Sequence, residues 1–578
     1  MSSENFCPPA ARNQTEVYAI HGADPEVLAY AMAKYSRSAL SMRESLAEIG
    51  AQRAEQFLNT FYFQYGHRSI ADLAHAAFAV ERLSLLAAIV LVDEQRWDGQ
   101  ERSTRYQNFL KSGWFFPDFA ADSASAALYS ETVENLFAAY QRTSAAVLEL
   151  LRRRIARPET LKPEAYERTL RARAFDVARY LLPLATNTSL GQIVNARTLE
   201  TQISRLLSHP SAEVRDLGAK LREAATGPAW IVGAQAVAAF VEKLTALAEP
   251  EVAAEPLGLV TEYDHLRQAQ GRLSAGSGQI FGRAEDSSKS AGDSASEKSL
   301  AYEAAQLLTR EVRTAPTLVK YAQPNDYELT TRAELAQAAA ELLAAQPVAH
   351  APLVDLVERT ESLEVELAAT LLYSASHHPY RQIRDLVSGL PDSRVAEIVD
   401  LGLRHRGKHD EALRAFRAGA DLRFDILMDI GGFRDMHRHR RSVQIIQPFT
   451  ALHGYETPGS ADLGGDMDIL SAAGILGDYR TAIEAAHAAS ARIAAGPASE
   501  AAQSALYLLP LATRIRALFK MDFAEAQYIC ELRSAPAGHF SYRRVAWEMY
   551  RALESRHPSL ARHIRVTDFT QPIDLLQR

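Results

Sequence analysis

Tyr180-Leu-Leu-Pro-Leu-Ala-Thr186 recurs, residue for residue, as Tyr507-Leu-Leu-Pro-Leu-Ala-Thr513. Chance does not readily produce a seven-residue identity between distant positions, even in an Ala- and Leu-rich chain. Such self-similarity marks one structural unit used twice. Every motif is therefore read against its counterpart in the other half, and the two copies turn out to have lost different residues.

Composition sets the outer limits. The chain has 578 residues, 47% hydrophobic and 23% charged, enough apolar material for more than one core. A net charge of -8 argues against a nucleic-acid protein that depends on bulk electrostatics. Two cysteines, Cys7 and Cys530, cannot form a disulfide framework, which suits a reducing cytoplasm. Met-Ser-Ser-Glu-Asn at the start lacks the basic region and apolar run of a secretory leader. The longest apolar run, Leu85 to Val92, is too short to span a bilayer and reads as a buried helix. No membrane role is expected.

Apolar residues recur at helical spacing from Asp24 to about Gln64, with Asp24-Pro25 as a helix start. Long helical patterns also cover Leu128 to Arg154 and Glu164 to Leu182. Gln268 to Ser299 is rich in Gly, Ser and Asp and buries too little apolar surface to offset its ordering entropy, so it reads as a linker. Helical patterns resume at Tyr302 and dominate after Leu363. Strands are expected at Leu422 to Asp429, by period-two alternation, and at Val443 to Gln447, ended by Pro448. The expected class is α+β: two helix-rich lobes, residues 15–265 and 301–578, each with a small sheet, joined by 266–300.

The first lobe contains Tyr65-Gly66-His67-Arg68-Ser69-Ile70-Ala71-Asp72 and, further on, Gln100-Glu101-Arg102-Ser103-Thr104-Arg105-Tyr106. The second contains Asp429-Ile430-Gly431-Gly432-Phe433-Arg434-Asp435-Met436-His437-Arg438-His439-Arg440. As an ordered set these strings resemble the flavin-dependent thymidylate synthase family. That family carries a Gly-His-x-Ser/Thr-x-x-Glu-His string, an Arg-His-Arg triplet, then Ser-x-Asn-Glu-x-Ser-x-Arg-Tyr, an Arg before Leu-Pro, and Asn-x-Arg. The match departs at Asp72 and Leu73, which stand where the family has Glu and His.

Set on that pattern, the two lobes have decayed in complementary ways. The first keeps Glu101, Ser103, Arg105 and Tyr106, Arg179 before Leu182-Pro183, and Asn195-Ala196-Arg197, but has Asp93-Glu94-Gln95 in place of the triplet. The second keeps Arg438-His439-Arg440, Leu532-Arg533 and the basic Tyr542-Arg543-Arg544 that follow, but has Pro448, Thr450, Leu506 and Asp522-Phe523-Ala524 at the other positions.

The resemblance implies chemistry for each group. Arginine forks suit the carbonyl edge of an isoalloxazine or a phosphate, so Arg438, His439 and Arg440 are expected to hold FAD, with His67, Ser69, Asn195 and Arg197. Ser103 and Arg105 would be catalytic and, with Glu101, Arg179 and Arg533, would bind dUMP. The implied reaction is reductive methylation of dUMP to dTMP, with methylenetetrahydrofolate and NADPH as co-substrates, at composite sites built from both lobes. Two fused copies per chain imply a homodimer, a pseudo-tetramer of lobes.

Other readings stand beside this one. The loss pattern also suits a nonenzymatic paralogue with a structural or regulatory role, or a flavin enzyme on a related pyrimidine nucleotide. Arg438 to Arg441 alone also fits the basic C-terminal end of a helix, and Ser103 and Arg105 fit surface residues after a turn at Asp98-Gly99. His405, His409, His437 and His439 lack the companion Glu or Cys of a zinc site, and no metal is expected. Arg404-His405-Arg406 lacks the rest of the signature and reads as surface charge. Cys530 reads as a core residue.

Overall fold

The computed structural model describes residues 24–34, 68–119, 122–230, 312–320, 322–357, 361–407, 413–416, 422–458, 468–496 and 500–576, with the single residues 46, 239 and 410 and without 563, 572 and 573. His67, His409 and the expected linker at 266–300 lie outside the described residues, as does nearly all of 35–64.

Two compact units result, and they do not follow the two halves of the sequence. One comprises Met1–Ala76, Asn195–Arg197 and Arg222–Tyr321; the other comprises Ala77–Val194, Thr198–Leu221 and Ala322–Arg578. In the first, helix Pro25–Lys34 opens on the expected proline. Buried Glu26 accepts the backbone N–H groups of Thr317 and Leu318 at 2.9 and 2.8 Å.

The second unit holds the repeated architecture, helix-rich with two small antiparallel sheets. The first sheet has the order β1 (His75–Ser84), β3 (Asn187–Asn195), β2 (Asp98–Glu101); the second has the order β4 (Val354–Leu356), β5 (Leu422–Asp429), β7 (Arg514–Met521), β6 (Val443–Ile446). β1 and β5 each run into a short buried helix, Leu85–Leu91 or Ile430–Met436, and β3 and β7 each run into a longer one, Ala196–Leu207 or Phe523–Ser534.

Backbone bonds fix the correspondence between copies. Leu85 and Leu86 donate to Thr186 and Leu184; Ile430 and Gly431 donate to Thr513 and Leu511. Glu101 pairs with Leu190 in the first sheet, and Ile446 pairs with Ala517 in the second. Asp93-Glu94-Gln95 thus stand where Arg438-His439-Arg440 stand in the other copy.

The repeated heptapeptides pair with each other. Pro183 bridges Pro510 in antiparallel sense. Leu184 donates to Leu509 and Leu511 donates to Leu182, each at 2.9 Å; Ala185 donates to Tyr507 and Ala512 donates to Tyr180, at 2.8 and 3.0 Å. Each bond has its mirror partner, which is the reciprocity of a two-fold interface, here within one chain.

The copies also exchange a hydroxyl and a carboxylate. Ser84 caps the Leu85–Leu91 helix and its hydroxyl donates to Glu213 at 2.6 Å. In the other copy Asp429 caps Ile430–Met436 and accepts the hydroxyl of Ser541. Either order satisfies a buried helix N-terminus.

Both expected strands form, β5 over the expected span and β6 ending at Ile446. The run Leu85–Leu91 is a buried helix, and Ser123–Arg154 and Pro163–Ala178 are helices. Asp98-Gly99, expected as a turn, instead opens β2, where a side chain at Gly99 would meet the Gly191 carbonyl and the Trp97 ring. The strands β1, β3, β4 and β7 were not expected. One face of the second sheet carries three buried ion pairs, Arg423–Glu361, Arg516–Asp425 and Lys520–Glu366. Burial disfavours such charges unless each has its partner.

Candidate functional site

The Ser103–Arg105 segment follows β2, and Arg179 opens the 3-10 turn before the first heptapeptide. Helix Ile430–Met436 leads into the triplet. These elements of both halves converge on one small cavity lined by Glu101, Arg102, Ser103, Thr104, Arg105, Arg179, Gly431, Arg434, Asp435 and Arg438. Its volume is about 20 Å³, the space of a water molecule. The five arginines in that lining exceed the two carboxylates, so the cavity favours an anion.

The arginines are not equally engaged. Arg102 spends its nitrogens on Gln107, Ser112 and the Asn108 carbonyl and lies over Phe109, which makes it a scaffold residue. Arg105 forms a two-point pair with Asp176 at 2.7 and 3.2 Å and donates to Tyr542 at 2.9 Å. Burial would lower its affinity for the proton, but Asp176 outweighs that and holds it fully charged. Arg434 pairs with Glu101 at 2.5 Å.

Arg179 is 2% exposed and reaches Asp435 and Thr104 only at 3.5 Å; its Nε and one Nη have no hydrogen-bond partner. Buried donors left in that state are costly unless something else completes them. Arg438 is exposed, lines the cavity and makes no hydrogen bond or ion pair among the described residues. Burial works against the charge of Asp435, but Arg179, Arg105 and Arg438 hold its carboxyl below the usual range.

The triplet does not act as a single fork. His439 turns inward: it accepts from Arg533 at 2.7 Å, faces Glu525 at 3.4 Å, and burial keeps it neutral. Arg440 lies over the Trp97 ring at 5.1 Å, and burial lowers its pKa to about 10. Arg533 joins the cluster from the side, over the Tyr542 ring at 5.3 Å. Of the three triplet residues, only Arg438 lines the cavity. Of the residues that replaced the first triplet, Asp93 faces the second half and Glu94 pairs with Arg205 of the first. Burial works against the charge of Asp93, but Arg414, paired with it at 2.5 Å, helps hold its carboxyl well below the usual range; His437 lies 3.4 Å away, and burial lowers its pKa to about 4.

The other expected residues fall elsewhere. Arg197 pairs with Asp72 at 3.5 Å, and Asn195 ends β3; both belong to the first compact unit. Ser69 sits in the 3-10 helix Arg68–Leu73. Arg404 and His405 are tied to Glu334 on the surface, and Cys530 is buried. Among the described residues no cluster of His, Cys, Asp and Glu could hold a metal ion, and no helix is long and apolar enough to cross a membrane.

Sequence reasoning did not single out Thr104, Asp176, Gly431, Arg434 or Asp435. Arg434 and Asp435 lie one helical turn before Arg438, which was the available signal. Gly431 matters through its smallness: a side chain there would come within 3.4 Å of the Arg179 guanidinium and 3.1 Å of Asp429. In the other copy the Arg179 and Gly431 positions hold Leu506 and Leu86, and those of Arg434, Asp435, Glu101 and Ser103 hold Ile89, Val90, Ile446 and Pro448. Arg438 and Arg105 have Asp93 and Thr450 as counterparts, so the two-fold counterpart of the polar cavity is largely apolar and has lost its arginines.

The chain matches the family described as Thymidylate synthase complementing protein over residues 19–227 and 355–559. These stretches make up more than half of the chain, one in each half, and the protein belongs to that family as a tandem member. It is 25% identical to a UPF0159 protein of Chlamydia muridarum over 582 residues, covering 95% of this chain and 91% of that one. Over 177 residues it is 27% identical to a flavin-dependent thymidylate synthase of Clostridium tetani, covering 30% of this chain and 67% of that one. The structure of flavin-dependent thymidylate synthase ThyX from Helicobacter pylori, complexed with FAD and dUMP, aligns with 18% identity over 35% of this chain and 89% of its own, at a TM-score of 0.24.

Proposed function

We propose that this chain binds a pyrimidine nucleoside monophosphate, dUMP in the first instance, at the composite cavity and converts it to dTMP by flavin-dependent reductive methylation. The observation that carries this reading is the meeting of Ser103, Arg105 and Arg179 from one half with Arg438 from the other. Arg179 supplies buried, unpartnered donors and Arg438 an uncommitted charge, the pairing a phosphate needs. Ser103 adds a neutral hydroxyl donor beside them. Arg105, held by Asp176 and Tyr542, positions the loop and keeps the site positive.

The residues fit a phosphate group better than they fit a flavin ring. A cavity of about 20 Å³ admits neither a flavin nor a whole nucleotide without side-chain movement. The Glu101–Arg434 pair is the gate that such movement would open. With His439 and Arg440 committed elsewhere, Arg438 is the triplet member left for a flavin. FAD would supply the hydride, methylenetetrahydrofolate the carbon and NADPH the reducing equivalents, with the whole chain acting as a homodimer.

The same tight ion-paired cavity, with a counterpart that has lost its arginines, supports a second reading: a paralogue that keeps the fold and has given up catalysis. Reoxidation of the reduced flavin in the presence of methylenetetrahydrofolate separates the two. Acceleration by dUMP, lost in Arg438→Ala, is expected for the enzyme; purified protein that takes up no FAD and shows no dUMP effect establishes the paralogue.

A further inference from the structure

We propose a second ligand site, over the inner strands β5 and β7 of the second sheet, for a small organic anion with an apolar body. It is a cavity of about 470 Å³, within the range of about 300–1,000 Å³ typical of small-molecule pockets. It shares no lining residue with the composite cavity.

The floor comes from the strand pairing. Leu427 on β5 lies directly opposite Arg516 on β7, so the two side chains share one face of the sheet. Arg516 is 2% exposed. One Nη donates to the buried Asp425 carboxylate at 3.0 Å, while its Nε has no hydrogen-bond partner. Arg516 lines the cavity, and a buried guanidinium with one donor satisfied and another unpaired is an incomplete anion cradle.

His453 completes the polar end. Its Nε2 also lacks a partner. Burial, then Arg516 and His377, lower its pKa to about 4, so the ring is neutral at physiological pH and can donate without adding charge. Arg514 and Arg544 flank the entrance, both paired with Glu456, which restrains their side chains. Val348, Ala349, Ala351 and Leu353 supply aliphatic surface, and His350 and Glu548 complete the lining. Three arginines against one carboxylate leave the lining cationic, and it combines that charge and directional donors with an apolar surface.

Phenyl phosphate is the probe, with inorganic phosphate and phenol as the two halves of its chemistry, titrated calorimetrically into the full-length protein. Phenyl phosphate is expected to bind at least tenfold more tightly than either half. Ala349→Trp, at an exposed wall position, should abolish that binding without changing the melting temperature. Arg516→Lys, which keeps a cation beside Asp425, should weaken it at least tenfold. Arg438→Ala, in the other cavity, should leave it unchanged. Absence of phenyl phosphate binding up to about 1 mM, inorganic phosphate binding as tightly, or undiminished binding in Ala349→Trp would each overturn the proposal.

Discussion

Arg105, from the first half of the chain, donates to the hydroxyl of Tyr542, from the second half, at 2.9 Å, while Asp176 grips the other side of the same guanidinium. The pair fastens the loop that carries Ser103 to helix Phe540–Arg556. Tyr542→Phe removes that hydrogen bond without leaving a void. Unfolding stability should fall by about 0.5–1.5 kcal/mol, read from urea titration, and dUMP should bind a few-fold more weakly because the loop is less restrained. An unchanged dUMP affinity would detach the loop from the binding site.

Arg438 is exposed and uncommitted, so its loss should separate binding from stability. Arg438→Ala is expected to leave the melting temperature unchanged and to weaken dUMP binding about tenfold or more, the scale of a charged hydrogen bond worth about 1.5–3 kcal/mol. Isothermal titration with dUMP measures it. Equal affinity in variant and wild type would exclude Arg438 from the nucleotide site.

Lys520 is fully buried, donates to Glu366 and Thr370 at 3.0 and 2.9 Å, and lies on the strand that holds the second sheet together. Lys520→Met strands a buried carboxylate and should cost about 3–5 kcal/mol. Adding Glu366→Gln should recover part of that loss, because the charge left behind is what hurts. A double variant no more stable than the single one would assign the cost to shape instead.

Half-buried neutral histidines such as His209 set the acid limit. His209 accepts the Ser211 N–H at Nδ1, and burial, then Arg332, Arg205 and Arg215, lower its pKa to about 3. Its folded pKa lies below the unfolded value, so its contribution is complete above about pH 6.5 and is lost as the pH falls towards 3. Stability should drop over that window by at most about 1.4 kcal/mol per pH unit for each such group. His209→Gln keeps an acceptor for Ser211 and should flatten the slope; urea titrations across that window would reveal an unaltered one.

Sequence periodicity located β5 and β6 because their alternation or their proline terminator is local. It missed β7 because Arg514, Arg516 and Lys520 look like the solvated face of a half-exposed strand. Arg516 and Lys520 are in fact buried, and only the distant Asp425 and Glu366 reveal why. It missed β1 because His75-Ala-Ala-Phe-Ala-Val is as good a helix pattern as a strand. At the candidate site, Ser103, Arg105, Arg179 and Arg438 were legible from motif order. Asp176 was not, and Tyr542 was legible only as part of the Tyr542-Arg543-Arg544 string, since the bond of each to Arg105 exists only across the fold. The triplet read as one functional group, yet three consecutive residues leaving a helix end point in three directions.

The heptapeptide pairing has a consequence for how this protein can change over generations. In an assembly of identical subunits, a substitution beside the symmetry axis arrives on both sides at once, and both must tolerate it. Here the two sides are encoded separately. The Ser84–Glu213 and Asp429–Ser541 pairs show the result: the same junction solved with opposite chemical polarity on its two sides. Covalent linkage also keeps the halves together at any dilution. One copy could then fill its cleft with leucine and isoleucine while its twin kept arginine, a specialisation closed to a self-associating ancestor with a single template for every cleft.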